Sequence, residues 1–259
     1  MSDEGVTDLR VKGVIVAGGR GSRMMPFTKY THKTLLPIFD RPVIDYALDT
    51  MRMANIRDIT IIANEHIGQI TQHIGSGSPG ERINFVIEER PEGVYKAINL
   101  ARPYLEGSRA MVYFSDNITT WDFSEDVEKF EDSVDPPGAV LLAREVDDPS
   151  SFGVCDIGID GKVVDIVEKP ESPPSNLAIG GIYLFDERFW EIMDEEAENR
   201  GEGFSISDVT RRYVKMNAVS IRNMGTETWI DCGTPTDLLK AGELAFSGKL
   251  RLGASKDIQ

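Results

Sequence analysis

The sequence predicts an α/β protein, a single domain on a mixed, mostly parallel central sheet flanked by helices. Three observations carry this. Short runs rich in Val and Ile alternate with amphipathic segments through the first half, in the order βαβαβαβ. A helix between two strands returns the second parallel to the first. The earliest apolar run, Val14-Ile15-Val16, feeds straight into Gly18-Gly19-Arg20-Gly21-Ser22-Arg23, a turn of the kind that holds ligands at strand ends.

Strands are expected over 13–17, 59–63, 83–87, 110–114, 139–143, 163–167, 178–185 and 218–221. Helices are expected over 42–54, 66–74, 93–104, 124–133, 187–197, 205–215 and 236–245. After Pro149 strands crowd together between proline-rich turns (Pro170, Pro173-Pro174), which reads as elaboration of the same domain. No repeat or low-complexity tract is visible, and the tail from Gly248 is expected to fray.

Composition excludes several classes. The 41% hydrophobic and 27% charged content is that of a globular protein. Apolar runs are too short to span a bilayer. The start, MSDEGVTDLR, is acidic and unlike a secretory or transit peptide, so a cytoplasmic protein is expected. Two cysteines, Cys155 and Cys232, make no disulfide framework or metal knuckle. A net charge of −15 argues against nucleic acid or an anionic membrane as partner.

Phosphate ligands are another matter. Residues 9–39 hold Arg10, Lys12, Arg20, Arg23, Lys29 and Lys33 and no acid, in a chain with 43 acids. Glycines let backbone N–H groups approach an anion, and arginine forks onto its oxygens. A Walker loop needs Lys-Ser/Thr after its last glycine, where Ser22-Arg23 stand; a dinucleotide fingerprint needs a third glycine where Met24 stands. Pro26 prevents a long helix from starting at once. On local chemistry alone an ordinary glycine turn stays open.

The full spacing, GGRGSRMMPFTKYTHKTLLP, resembles the signature of the sugar nucleotidyltransferases, most like the short glucose-1-phosphate thymidylyltransferases. Gly18, Gly19, Gly21, Ser22, Arg23, Met24, Pro26, Thr28, Lys33, Leu35, Leu36 and Pro37 fit it. The resemblance runs from about Val11 to about Leu244. It implies a Rossmann-like fold of the nucleotide-diphospho-sugar transferase type over 1–246, with a nucleotide-binding half about 11–148, a sugar-binding half about 149–246 and a tail, 247–259.

The same resemblance implies site residues. Asp116-Asn117 ends an apolar strand and matches a Gly-Asp-Asn motif whose acid binds Mg²⁺ and whose Asn touches the sugar, with Ser115 in place of the glycine. Trp229-Ile-Asp231-Cys-Gly233-Thr234 matches the segment that supplies the second metal contact. Paired carboxylates suit a hard cation shared with phosphate. Read singly, Asp116-Asn117 could be a turn and Asp231 a helix cap. Glu168-Lys169-Pro170 matches the Glu-Lys-Pro whose Glu binds sugar hydroxyls and whose Lys holds the sugar phosphate; without the resemblance it is a surface charge pair. Gly153, Ile179 and Gly181 fall on the sugar pocket, and Ala17, Gly18, Gly19, Gly21, Ser22, Arg23, Glu88, Pro91 and Gly93 on the nucleotide. Arg200 is a further phosphate candidate. His32, His66 and His73 show no ligand spacing.

The implied reaction is nucleotidyl transfer: a sugar-1-phosphate oxygen attacks the α-phosphorus of a nucleoside triphosphate and pyrophosphate leaves. Arg23, Lys33 and Lys169 would hold phosphates, with Mg²⁺ on Asp116 and Asp231. Two departures bear on substrate. Thr34 follows Lys33 where the thymidylyltransferases have Gln, and Glu88 stands where they carry a base-contacting Gln. A carboxylate accepts but does not donate, so GTP or another nucleotide, with a different sugar phosphate, is an alternative to dTTP and glucose-1-phosphate. A binding regulator without turnover is the other alternative. Because 28 residues follow Asp231, fewer than the family's helical assembly extension, a homo-oligomer is expected as an option, without commitment to a tetramer.

Overall fold

The computed structural model describes residues 9–133 and 136–251. Strand β1 (Val11–Ala17) leads through short 3₁₀ turns at Ser22–Met24, Phe27–Lys29 and Lys33–Leu35 to the small ladder of β2 (Pro37–Ile38) and β3 (Arg41–Pro42). Helix α1 (Val43–Met53), β4 (Asp58–Ala63), α2 (Ile67–Ile74) and β5 (Arg82–Ile87) follow. Next come α3 (Val94–Asn99), α4 (Arg102–Leu105), β6 (Arg109–Phe114), β7 (Asn117–Thr119), α5 (Ser124–Asp132) and β8 (Ala139–Glu145). The second half runs β9 (Gly153–Ile157), β10 (Val163–Glu168), β11 (Leu177–Phe185), α6 (Phe189–Arg200), α7 (Ile206–Lys215), β12 (Val219–Asn223), β13 (Trp229–Asp231) and α8 (Pro235–Phe246).

The main sheet has the order β10-β9-β11-β6-β1-β4-β5, with β8 and β12 continuing from β11. β1 pairs in parallel with both β4 and β6, and β4 with β5. β11 enters antiparallel and gives one edge to β8, the other to β6 and β9. The sheet is therefore mixed but mostly parallel around the glycine turn. Alternation along β1 sends Val11 and Ile15 into the core under α1, α2 and α5, and Val14 into the core under α3, α4, α6 and α7. A smaller cluster joins Ile38, Val43, Tyr46, Ile118, Cys232, Ala241 and Leu250 beneath α8.

Several boundaries differ from the expectation. The helix expected over 93–104 breaks at Leu100 and Ala101, just before Arg102-Pro103, because a proline cannot donate to a continuing helix. β9 lacks a clear apolar alternation and forms as the hairpin partner of β10. β7 and β13 are three residues each and exist only as each other's ladder. The tail expected to loosen from Gly248 stays docked as far as Leu250, 3% exposed; residues 252–259 lie outside the described residues, as do residues 1–8 of the acidic start.

Candidate active site

The turn after β1 is held by its carbonyls. The Ala17 oxygen lies 2.7 Å from His32 Nε2, the Gly19 oxygen accepts from Asn64 Nδ2 at 3.4 Å, and the Gly21 oxygen accepts from Thr28 Oγ1 at 2.8 Å. Thr34 N–H donates to His32 Nδ1, so the ring is neutral with its proton on Nε2, donated to Ala17. Among the described residues, no acceptor takes the backbone N–H groups of Gly18 through Arg23. Three alternate carbonyls tied inward and a run of open amides make a cradle for an anion. Gly21 sits at φ 62°, a left-handed turn that glycine adopts at little cost.

His32 is one residue that sequence reasoning missed. It is 1% exposed and holds the end of β1, not an ordinary surface histidine. Burial, partly offset by the Ala17 carbonyl, depresses its pKa to about 4.

Four of the expected residues come together beside this cradle. The third 3₁₀ turn carries Lys33, whose Nζ donates to Asp116 Oδ2 at 2.6 Å. β13 pairs with β7 so that Asp231 lies opposite Asn117, and Cys232 N–H donates to the Asp116 carbonyl at 2.7 Å. Two acids 115 positions apart in the chain are thus neighbours across one short ladder. Arg23 reaches the same place: its Nη2 lies 2.9 Å from where a Cβ on Gly233 would stand, and Asp231 Oδ1 lies 3.1 Å from that point.

The two acids are unequal. Burial would raise Asp116, but Lys33, then a backbone hydrogen bond and Arg23, outweigh it and hold the carboxyl below the usual range. Burial and then the Asp116 charge push Asp231 up. Asp231 Oδ1 is buried without a hydrogen-bond partner. A buried, unpartnered carboxylate oxygen next to a second carboxylate fits a cation: added positive charge lets both acids ionise and gives the open oxygen a ligand. Among the described residues no group of three or more His, Cys, Asp or Glu side chains could hold a metal, so phosphate oxygens and water would complete the coordination.

A second cluster forms on β9, β10 and α7. Glu168 lies opposite Gly153 in the β9–β10 ladder. Ser207 Oγ donates to Glu168 Oε2 at 2.5 Å, while Lys169 Nζ lies 3.3 Å from Oε1. Lys169 has φ 43°, an uncommon backbone for a long side chain, and its N–H is fixed on the Phe152 carbonyl. Ser207 comes from the capping turn of α7, where Ser205 and Asp208 form a reciprocal box.

Asn117 ties Asp116 to β11 and β13. Its Oδ1 accepts from Gly181 N–H at 3.0 Å and Trp229 Nε1 at 2.8 Å, and its Nδ2 donates to the Phe114 carbonyl and to Asp116 Oδ1, each at 3.2 Å. The amide expected to touch a sugar is thus engaged by the protein, as a strut behind Asp116. Gly181 lies where β11 departs from regular register with β8, between Ile179 and Tyr183; a Cβ there would stand 2.5 Å from Asn117 Nδ2. Ile179 is buried beside it in the strand.

Pro91, Gly93 and Arg200 stand apart, while Glu88 rests against the turn. Pro91 and Gly93 are exposed on the β5–α3 connection. Arg200, last in α6, pairs with Asp208 at 3.2 Å. Glu88, just past β5, is 5% exposed, and its Oε2 occupies the space a side chain at position 18 would need, 1.6 Å from the Cβ site. Trp229 and Ser207 were not singled out as site residues; their side chains meet Asn117 and Glu168 only through tertiary folding.

A parallel-centred sheet with an open-amide cradle, clustered cations and two converging acids defines an α/β protein of the phosphate-transferring kind. Comparisons with known proteins agree. The chain belongs to the nucleotidyl transferase family, whose model matches residues 12–247. It is 33% identical over 246 residues to a glucose-1-phosphate thymidylyltransferase of Xanthomonas campestris pv. campestris (strain B100), covering 93% of this chain and 83% of that one. A low-salt glycan biosynthesis nucleotidyltransferase of Haloferax volcanii is 32% identical over 243 residues, 92% of this chain and 67% of that one. Among solved structures, a Bacillus anthracis chain assigned as a glucose-1-phosphate thymidylyltransferase and crystallised with sucrose superposes with a TM-score of 0.83 at 35% identity, covering 91% and 95% of the two chains. The chain is an enzyme of nucleotidyl transfer, and no helix among its described residues is long and apolar enough to cross a membrane.

Proposed function

We propose that this enzyme condenses a nucleoside triphosphate with a sugar-1-phosphate, in the manner of the glucose-1-phosphate thymidylyltransferases it is similar to, giving a nucleoside-diphosphate sugar and pyrophosphate. The observation that supports this most is the convergence of Arg23, Lys33, Asp116 and Asp231 beside the open amides of the glycine turn.

The turn amides and Arg23 clamp the triphosphate, and Lys33 leaves Asp116 to meet the α-phosphate. Lys169 holds the sugar phosphate, while Glu168, fixed by Ser207, accepts from sugar hydroxyls. A sugar phosphate oxygen forms the new bond to the α-phosphorus as the bond to pyrophosphate breaks. The nucleophile is already anionic, so no general base or covalent protein intermediate is required. The protein supplies alignment and positive charge placed where charge shifts. Asp116 and Asp231 would hold Mg²⁺, which when bound supplies neutralisation of phosphate oxygens. The nucleotide-binding half, 11–148, and the sugar-binding half, 149–246, act across a sheet in which β11 of the second pairs with β6 of the first.

A matrix of five nucleoside triphosphates against several sugar-1-phosphates, read as pyrophosphate release, tests the proposal. Release that requires both substrates and Mg²⁺ is expected. Nucleotide binding with no release for any pair would favour the regulator and overturn the proposal.

A further inference from the structure

The sheet order divides the space around the glycine turn. On the β6 side lie Asp116 and, beyond it on β11, β9 and β10, Gly181, Gly153 and Glu168. A polyhydroxylated second substrate fits that side. A nucleoside attached to phosphates on the turn is left the opposite side, past β4 and β5.

Two buried polar side chains occupy that side. Asn64 is engaged: it donates to the Gly19 carbonyl and accepts from His66 N–H. Glu88 is not. Its backbone N–H is fixed on the Ala63 carbonyl at 2.8 Å, and its carboxylate lies over Gly18 at 5% exposure. Burial raises its pKa, and among the described residues no nearby cation acts on it. Buried carboxylates are ordinarily paired, so this one is poised for donors that arrive with a ligand.

The donors available on nucleobases differ. A carboxylate only accepts, and it can take two adjacent N–H groups at once. Thymine and uracil offer one ring N–H between two carbonyls, which would repel the second carboxylate oxygen. Adenine and cytosine set an amino group beside a ring acceptor. Guanine alone among the five presents two neighbouring donors, N1–H and the 2-amino group, on one edge.

Resting on the reaction proposed above, we propose that Glu88 reads the base and selects a guanine nucleotide. Gly18 then has two duties, an open amide for phosphate and the gap that admits the Glu88 carboxylate.

Equilibrium binding of GTP, ITP, dTTP, UTP and ATP to the full chain with Mg²⁺ tests this, for wild type and Glu88→Gln. A bidentate base contact carries about ten- to a hundredfold discrimination. Wild type is expected to bind GTP at least tenfold tighter than dTTP or UTP, and tighter than ITP, which lacks the 2-amino group. The isosteric Glu88→Gln chain should lose at least tenfold for GTP and gain for dTTP. A wild-type preference for dTTP or UTP, as when a protonated Glu88 imitates Gln, would overturn the inference, as would an unchanged GTP-to-dTTP ratio in the variant. GTP binding with no pyrophosphate release from any sugar phosphate would sink the reaction and leave the base assignment standing. Failure to bind any of the five would sink both.

Discussion

Lys33 Nζ and Asp116 Oδ2 stand 2.6 Å apart, with side chains 16% and 17% exposed, so a lysine from the glycine-turn segment already neutralises an acid from the far end of β6. The pair holds the Lys33 ammonium in place with its charge balanced until another anion competes for it. An arriving polyanion offers Lys33 a new partner, and the freed Asp116 oxygen a cation.

Removing Lys33 leaves Asp116 buried near Asp231, offset by Arg23 and by hydrogen bonds such as that from Asn117 Nδ2. Lys33→Met is expected to cost about 3 kcal/mol of stability and at least about a hundredfold in turnover. Lys33→Met with Asp116→Asn should regain at least half of the stability and none of the turnover. Urea midpoints for the cycle check the first part and pyrophosphate release the second.

His32 makes acid sensitivity a property of the cradle. Its folded pKa of about 4 lies below the ordinary 6.5, so between those values the unfolded chain binds more protons than the folded one. Stability is full above pH 6.5 and falls as acid is added through the window, by about 3 kcal/mol in all. Protonation also removes the acceptor for Thr34 N–H. Unfolding free energy measured from pH 7 to pH 4 should fall more steeply for wild type than for His32→Gln, and parallel curves would contradict this.

Gly181→Ala drives a methyl into the Asn117 amide, which Trp229 and Asp116 hold on other sides. A loss of about 1–3 kcal/mol is expected, with a higher Mg²⁺ requirement because Asn117 supports Asp116. Gly203→Ala, where nothing lies within 4 Å of the added carbon, is the control and should stay within about 0.5 kcal/mol. Thermal melts and Mg²⁺ titrations of turnover separate the two.

How much was legible in the sequence follows from what is local. β1, β4 and β6 announce themselves because their largely apolar runs are buried on both faces, and the glycine turn because its spacing is contiguous. Asp116 and Asp231 could be matched one by one, but their meeting depends on β7 and β13, which have no independent pattern. His32 carries no spacing signal; only its burial against Ala17 and Thr34 gives it a role. Asn117 could be found and its amide's engagement could not, since its partners come from β11 and β13. Glu88 was legible as a departure; its burial on Gly18 was not.

The convergence of the two acids is tested most directly by the Mg²⁺ dependence of pyrophosphate release for wild type, Asp116→Asn and Asp231→Asn. Both substitutions are expected to lower the Mg²⁺-saturated rate by at least about a hundredfold. The melting point of Asp231→Asn should be no lower than wild type because it relieves the repulsion between the acids, and that of Asp116→Asn should fall because Lys33 loses its partner. A rate within threefold of wild type for either folded variant would contradict a shared site.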